Sequence, residues 1–242
     1  MITDYTFYKE NGYKICGRMY APDSEKCCPV VIFSHGFGSN YRELMHHGEG
    51  FARAGIACFF FDFCGGGPDT MSDGTMREMT IETECEDLNT VIDEVKKMDF
   101  IDSSKIFLMG ESMGGLVSAL VAVNRVDEIR AVVLWYPAFN VPDDVMKREL
   151  TNKITIFGLP LSWDYDEVAR GIAPFQIIKR YQKPVLLIHG DRDTIVPIAY
   201  SRRAAEILKE ARLEVISEAG HGFEGRDSVR ARELSIAFFK EQ

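Results

Sequence analysis

Short apolar runs recur along the chain, separated by stretches in which apolar positions return at helical spacing. The runs Pro29–Ser34, Ile56–Phe61, Ile106–Met109, 131–136 and Pro184–Ile188 lack the polar alternation of a half-solvated strand, so they predict parallel strands covered on both faces. Leu213–Ile216 predicts a further strand. Helical patterns occupy about 41–54, where Gly55 ends the helix, then 80–97, 197–210 and about 226–240. In 80–97, Ile81, Cys85, Leu88, Val91, Ile92 and Val95 share one face, with acids and lysines opposite. Segments 5–10 and 13–20 predict a hairpin turning at Asn11-Gly12. Strands alternating with helices imply an α/β protein with a mostly parallel, eight-stranded sheet and helices on both faces. The rhythm breaks from about 140 to 182 and resumes afterwards. The expected organisation is therefore a core of 1–139 and 183–242, interrupted by a small insertion at 140–182.

The candidate chemistry begins at the third of these buried strands. Ile106–Met109 passes through Gly110-Glu111-Ser112-Met113-Gly114 and resumes as the helical pattern Leu116, Val117, Leu120, Val121. Gly-x-Ser-x-Gly at a strand-to-helix corner is a nucleophile elbow. Bulky residues two positions either side of the serine would collide with strand and helix, and helix N-terminal amides face developing negative charge. No Lys followed by Ser or Thr comes after Gly115, which excludes a P-loop, and Ser112 interrupts the glycine pair of a dinucleotide fingerprint.

Loops that follow parallel strands gather at one edge of the sheet, where ligands bind. Two further such loops carry His189-Gly190-Asp191-Arg192-Asp193 and Glu218-Ala219-Gly220-His221-Gly222-Phe223. The chain order Ser, Asp, His is that of hydrolase triads. Ser112 is then the candidate nucleophile, His221 its base, and an aspartate the group that orients the imidazole. Asp193 is favoured because it lies further round its loop and can point across the edge, whereas Asp191 at the strand end suits turn capping. The expected oxyanion donors are the backbone N–H groups of Met113 and of Phe37, the latter in His35-Gly36-Phe37-Gly38 after the first buried strand. His35 is expected to brace that loop and His189 to be a buried strand-end residue. His46-His47 with Glu49 are expected on a solvated helix face, and no metal site is expected.

With 242 residues, 46% of them hydrophobic, the chain can build one large domain core. A net charge of −9 repels nucleic acid and anionic membrane surfaces, so neither is an expected partner. No run reaches the length of a membrane span, and the opening residues show neither the basic nor the apolar region of a signal peptide. All six cysteines lie at or before Cys85 without C-x-x-C spacing. They read as small buried side chains in a reducing compartment, which predicts a cytoplasmic protein.

His-Gly-Phe-Gly, Gly-Glu-Ser-Met-Gly-Gly, His-Gly-Asp-Arg-Asp-x-x-Val-Pro and Gly-His-Gly-Phe, in this order and spread over almost the whole chain, resemble the α/β-hydrolase superfamily. Within it the chain looks like compact bacterial cinnamoyl/feruloyl esterases and like monoacylglycerol-lipase-like enzymes. After Asp62 it departs from the Gly-His-Gly-x-Ser style often seen there, carrying Phe-Cys-Gly-Gly-Gly-Pro. The resemblance implies a cofactor-free serine carboxylesterase for small or aromatic, hydroxycinnamoyl-type esters, with 140–182 as a cap over the site. Trp163 and Tyr165 are the first choices for substrate contacts there, since aromatic side chains beside a cleft suit an aromatic or alkyl acyl group. Monoacylglycerol lipase or thioesterase chemistry is the alternative within enzymes. A non-catalytic ligand-binding protein on the same fold is the alternative of another class. The expected partner is a small-molecule ester, and a homodimer is left open.

Overall fold

A computed structural model describes residues 1–23, 27–149 and 154–242. The chain opens with strands β1 (Ile2–Tyr8) and β2 (Lys14–Tyr20), followed by β3 (Cys28–Ser34), two short helices α1 (Tyr41–Leu44) and α2 (Gly48–Arg53), and β4 (Ala57–Phe61). Helix α3 (Ile81–Val95), strand β5 (Ile101–Glu111), helix α4 (Ser112–Asn124) and strand β6 (Ile129–Trp135) form the middle. The interrupted region contains α5 (Val141–Val145), β7 (Ile154–Ile156), β8 (Leu159–Leu161), α6 (Trp163–Gly171) and α7 (Pro174–Ile178). Strand β9 (Val185–Gly190), helix α8 (Ala199–Ile207), strand β10 (Ala211–Ile216) and helix α9 (Gly225–Lys240) complete the chain.

Eight strands make one sheet in the order β1-β2-β4-β3-β5-β6-β9-β10. The pairs β1–β2 and β2–β4 are antiparallel, and every later pairing in the sheet is parallel. The all-apolar strands occupy the middle because they are covered twice. In β3, Val30 and Ile32 pack into a core shared with α3, α4, α6, α7 and α8, whereas Val31 and Phe33 pack into a second core with α1, α2 and α9. Burying apolar area on both faces is the main favourable contribution to such a fold.

Local chemistry sets the element ends. Thr80 and Thr83 form a reciprocal capping box at the start of α3. The expected hairpin turns where Gly12 takes φ 87°, but the first strand lies earlier than anticipated, because Lys9 and Tyr13 close the turn with a backbone hydrogen bond of 2.8 Å. The single helix anticipated over 41–54 is broken by a 3-10 turn at Met45–His47. That turn corrects another expectation. His46 and Glu49 are solvated, but His47 points inward, with its ring 5.1 Å from that of Trp135 and 5.9 Å from that of Phe33. Burial pushes the His47 imidazole down to about 3, so it is neutral at ordinary pH.

In the interrupted region, where alternation around Thr151–Phe157 predicts a short hairpin arm, β7 pairs antiparallel with β8, while Thr151–Lys153 lie outside the described residues. Its tight turn places Phe157 and Gly158 at φ 51° and 80°.

One buried ion pair ties the antiparallel end of the sheet to α3. Lys9 Nζ lies 2.6 Å from Asp87 Oδ1, and Asp87 Oδ2 accepts the Cys64 N–H at 2.7 Å. Burial pushes the Asp87 carboxyl up to about 6, against the pull of Lys9. Removing the cation would leave a carboxylate buried without its partner, so Lys9→Met should cost about 3 kcal/mol of stability, read by chemical denaturation.

Candidate active site

At the end of β5 the backbone turns directly into α4, with Ser112 as the first helical residue and φ 48°, a left-handed value that a side-chain-bearing residue holds only under constraint. The glycines two positions away explain how the turn closes. A Cβ on Gly110 would stand 2.2 Å from the Gly114 carbonyl oxygen, and one on Gly114 would stand 2.3 Å from that of His35. Strand end, helix and the neighbouring β3 loop thus meet backbone to backbone, and the serine side chain is left facing outward from the corner.

His221 reaches this serine from the loop after β10. The Ser112 hydroxyl donates to His221 Nε2 at 3.0 Å, and the Nδ1–H donates to Asp193 Oδ2 at 2.8 Å. The Asp193 side chain is fully buried in the loop after β9. Its Oδ1 accepts the N–H groups of Ile195 and Val196 at 2.9 and 2.8 Å, and His189 Nε2 lies 3.2 Å from Oδ2. Burial pushes this carboxyl up. Hydrogen bonds from His189, His221 and Val196 outweigh burial and hold it well below the usual carboxylate range. Asp191 has a different surrounding. It is exposed and caps the facing loop through the Glu218 N–H at 2.7 Å. The structure thus brings Ser112, His221 and Asp193 together and leaves Asp191 outside.

His189 and His35 are both buried, as strand-end and loop-bracing residues. His189 is held by the Ser201 hydroxyl at Nδ1 (2.7 Å) and the Val196 carbonyl at Nε2 (2.9 Å). The His35 Nδ1–H donates to the Gly36 carbonyl at 2.8 Å, and Nε2 accepts the Phe63 N–H at 3.1 Å. This braces the loop that carries Phe37. A Cβ on Gly36 would sit 3.3 Å from Ser112 Cβ, so the backbone beside Phe37 lies directly against the serine.

A cavity of about 310 Å³ opens over Ser112, with Phe37 and Met113 in its wall. The interrupted region supplies Ile156, Phe157 and Tyr165, and the β9 loop supplies Ile195 and Val196. Tyr165 is buried, with its ring centroid 6.3 Å from that of Phe37 and its hydroxyl 3.8 Å from Met113 Sδ. Trp163, two residues earlier, is 40% exposed and lies outside the cavity wall. One turn of α6 points Tyr165 inward and Trp163 outward, and residue type alone carried no signal of that phase. Sequence reasoning also missed Asn140, Asp144 and Arg148, which give the cavity a polar side. The Asn140 amide donates to Asp144 at 2.7 Å, and Arg148 pairs with Asp166 at 2.6 Å.

The family model described as serine aminopeptidase, S33, matches residues 25–162, and that described as alpha/beta hydrolase fold matches residues 162–223. The structure superposes on that of Est1E from Butyrivibrio proteoclasticus with ferulic acid bound at a TM-score of 0.91 and 26% identity, covering 98% of this chain and 99% of the other. A monoacylglycerol lipase of Mycolicibacterium smegmatis is 24% identical over 83% of this chain and 82% of its own. The quorum-quenching protein AidA of Acinetobacter baumannii is 27% identical over 64% of this chain, which spans half the length of that relative. No helix among the described residues is long and apolar enough to cross a membrane.

The donors around Asp193 make a prediction with a definite sign. Its folded value lies below the unfolded one of about 4, so its contribution to stability is complete above about pH 4 and is lost as pH falls through the folded value. Asp193→Asn should therefore lose less melting temperature between pH 5 and pH 3 than the wild type, in thermal melts at the two pH values.

Proposed function

The chain belongs to the α/β-hydrolase family described as serine aminopeptidase, S33, as a carboxylic ester hydrolase, and we propose that it is a serine carboxylesterase for small or aromatic esters of the hydroxycinnamoyl type. The observation that carries this reading is the continuous Ser112–His221–Asp193 hydrogen-bond chain, whose serine lines a cavity with aromatic side chains in its wall.

His221 takes the Ser112 proton as the oxygen attacks the ester carbonyl. Asp193, ionised because four donors surround it, holds the imidazole in the required tautomer and stabilises its cation. The negative charge on the carbonyl oxygen is met by the backbone N–H groups of Met113, at the start of α4, and of Phe37; each such donor is worth roughly 3–4 kcal/mol in the transition state. His221 then protonates the leaving alcohol. Water, deprotonated by the same imidazole, hydrolyses the acyl-enzyme and restores the serine.

Cavity size and lining support the acyl preference. About 310 Å³ is at the small end for ligand pockets, which suits a short or planar acyl group better than a long chain. The rings of Phe37, Tyr165 and Phe157 flank it, with Phe157 6.4 Å from Phe37. Residues 140–182 act in this reading as a cap, with Tyr165 as a substrate contact and Trp163 as part of the outer surface.

Ser112→Ala should remove turnover by roughly a million-fold. Asp193→Asn should lose about ten-thousand-fold, whereas Asp191→Asn should stay near wild type; the reverse ranking of the two aspartates would sink the assignment. Initial rates on methyl ferulate and on a medium-chain monoacylglycerol, with Ser112→Ala as the blank, test the substrate class. The ferulate should be preferred, and preference for the glyceride would replace the acyl assignment with a lipase-like one.

A further inference from the structure

Glu111, the last residue of β5 before Ser112, has no part in the acyl-transfer steps, yet two loops of the site meet at its carboxylate and a third packs on one of them. Tyr136, just past the end of β6, donates its hydroxyl to Glu111 Oε2 at 2.7 Å. The backbone N–H of Gly36, beside Phe37, is also directed at this carboxylate, and a Cβ on Gly36 would lie 3.6 Å from Oε1. Phe223, two residues beyond His221, packs beside Tyr136. The Tyr136 ring lies against the His221 imidazole with centroids 4.7 Å apart, and meets Phe223 edge-on at 4.7 Å. Tyr136 holds φ 35°, a conformation that persists only where the surroundings enforce it.

We propose that Glu111 is a positioning residue whose carboxylate ties the Phe37 loop to the His221 loop through Tyr136, and whose charge supports the cation formed on His221 during turnover. The tie rests on the ester-hydrolase reading above. Both groups that face the carboxylate are donors, so it is best satisfied as the anion. Burial leaves the Glu111 carboxyl above its ordinary value, although the Tyr136 hydroxyl, the Gly36 N–H and His221 pull it down; Glu43 on α1 adds to the upward push. Burial and the Glu111 charge push the Tyr136 phenol far up, which keeps it a donor. Around His221 itself stand Ser112 at Nε2, Asp193 at Nδ1 with His189 behind it, and Tyr136 on the ring face.

A carboxylate near an imidazole favours its protonated form, so removing the charge should let the base lose its proton at lower pH. The test uses Glu111→Gln, Tyr136→Phe and the double variant, with Ser112→Ala as the blank. The readouts are kcat and KM for methyl ferulate and the pH dependence of fluorophosphonate labelling at Ser112. Glu111→Gln should lower kcat about tenfold or more, keep KM within about twofold, and shift the acid limb of the labelling profile to lower pH. Tyr136→Phe should lower kcat similarly, and the double variant should be no worse than the poorer single one. Wild-type kcat with an unmoved acid limb in Glu111→Gln, or losses that multiply in the double variant, would overturn the tie. If Glu111→Gln does not fold, Tyr136→Phe decides alone: a kcat loss at constant KM supports the tie, and no loss overturns it. Absence of Ser112-dependent labelling in the wild type would remove the functional reading and the tie together, whereas normal labelling left unchanged by both variants removes only the tie.

Discussion

The close approach of three backbone segments at the start of α4 governs everything at the site. Gly114 presses against the carbonyls of Ser34 and His35, and Gly110 presses against Gly114, with no room for a side chain at either position. That contact exists because β3 and β5 are parallel neighbours in the sheet, so both strands end at the same edge. It forces the chain into a left-handed residue at Ser112 and turns that side chain outward. The same sheet order places β6 on the far side of β5 and then β9 and β10, whose following loops supply Asp193 and His221. A contact between backbones thus precedes the contact between functional groups.

Electrostatics within this edge follow one rule: a buried charge persists only where donors or acceptors surround it. Asp193 keeps its charge in a water-poor position because backbone N–H groups and two imidazoles point at it. His47, equally buried but beside aromatic rings, loses its charge instead. His189 bridges Ser201, Val196 and Asp193, which stiffens the loop that holds the carboxylate. Ser112, bonded to His221, is the member of this hydrogen-bond chain that lines the cavity.

The interrupted region adds the wall that the sheet edge lacks. Its elements pack on the core through Leu161, Tyr165, Ala169 and Phe175, so much of its apolar content serves attachment rather than recognition. What remains facing the cavity is a mixed surface, aromatic on one side and polar at Asn140, Asp144 and Arg148. In the proposed esterase reading, shape and chemistry on that surface distinguish substrates, while the core beneath performs a step common to many esters.

How much was legible beforehand depended on the range of the interaction involved. The covered strands announce themselves as unbroken apolar runs, the elbow as glycines spaced around a serine, and the Ser112, Asp193 and His221 set as ordered loop residues after strands; these are local patterns, and the eight-stranded sheet follows from them. The side of α6 that turns inward, the burial of His47 beneath Trp135, and the meeting of Glu111, Tyr136, Gly36 and Phe223 are different in kind. Each depends on residues far apart in the chain that only packing brings together. Covalent order and hydrophobic periodicity therefore determined the scaffold and the candidate Ser112, Asp193 and His221, whereas the tertiary structure alone decided which aromatic side chain faces the cavity and which charges stay ionised, because those outcomes depend on distances and solvent exclusion that no local pattern encodes.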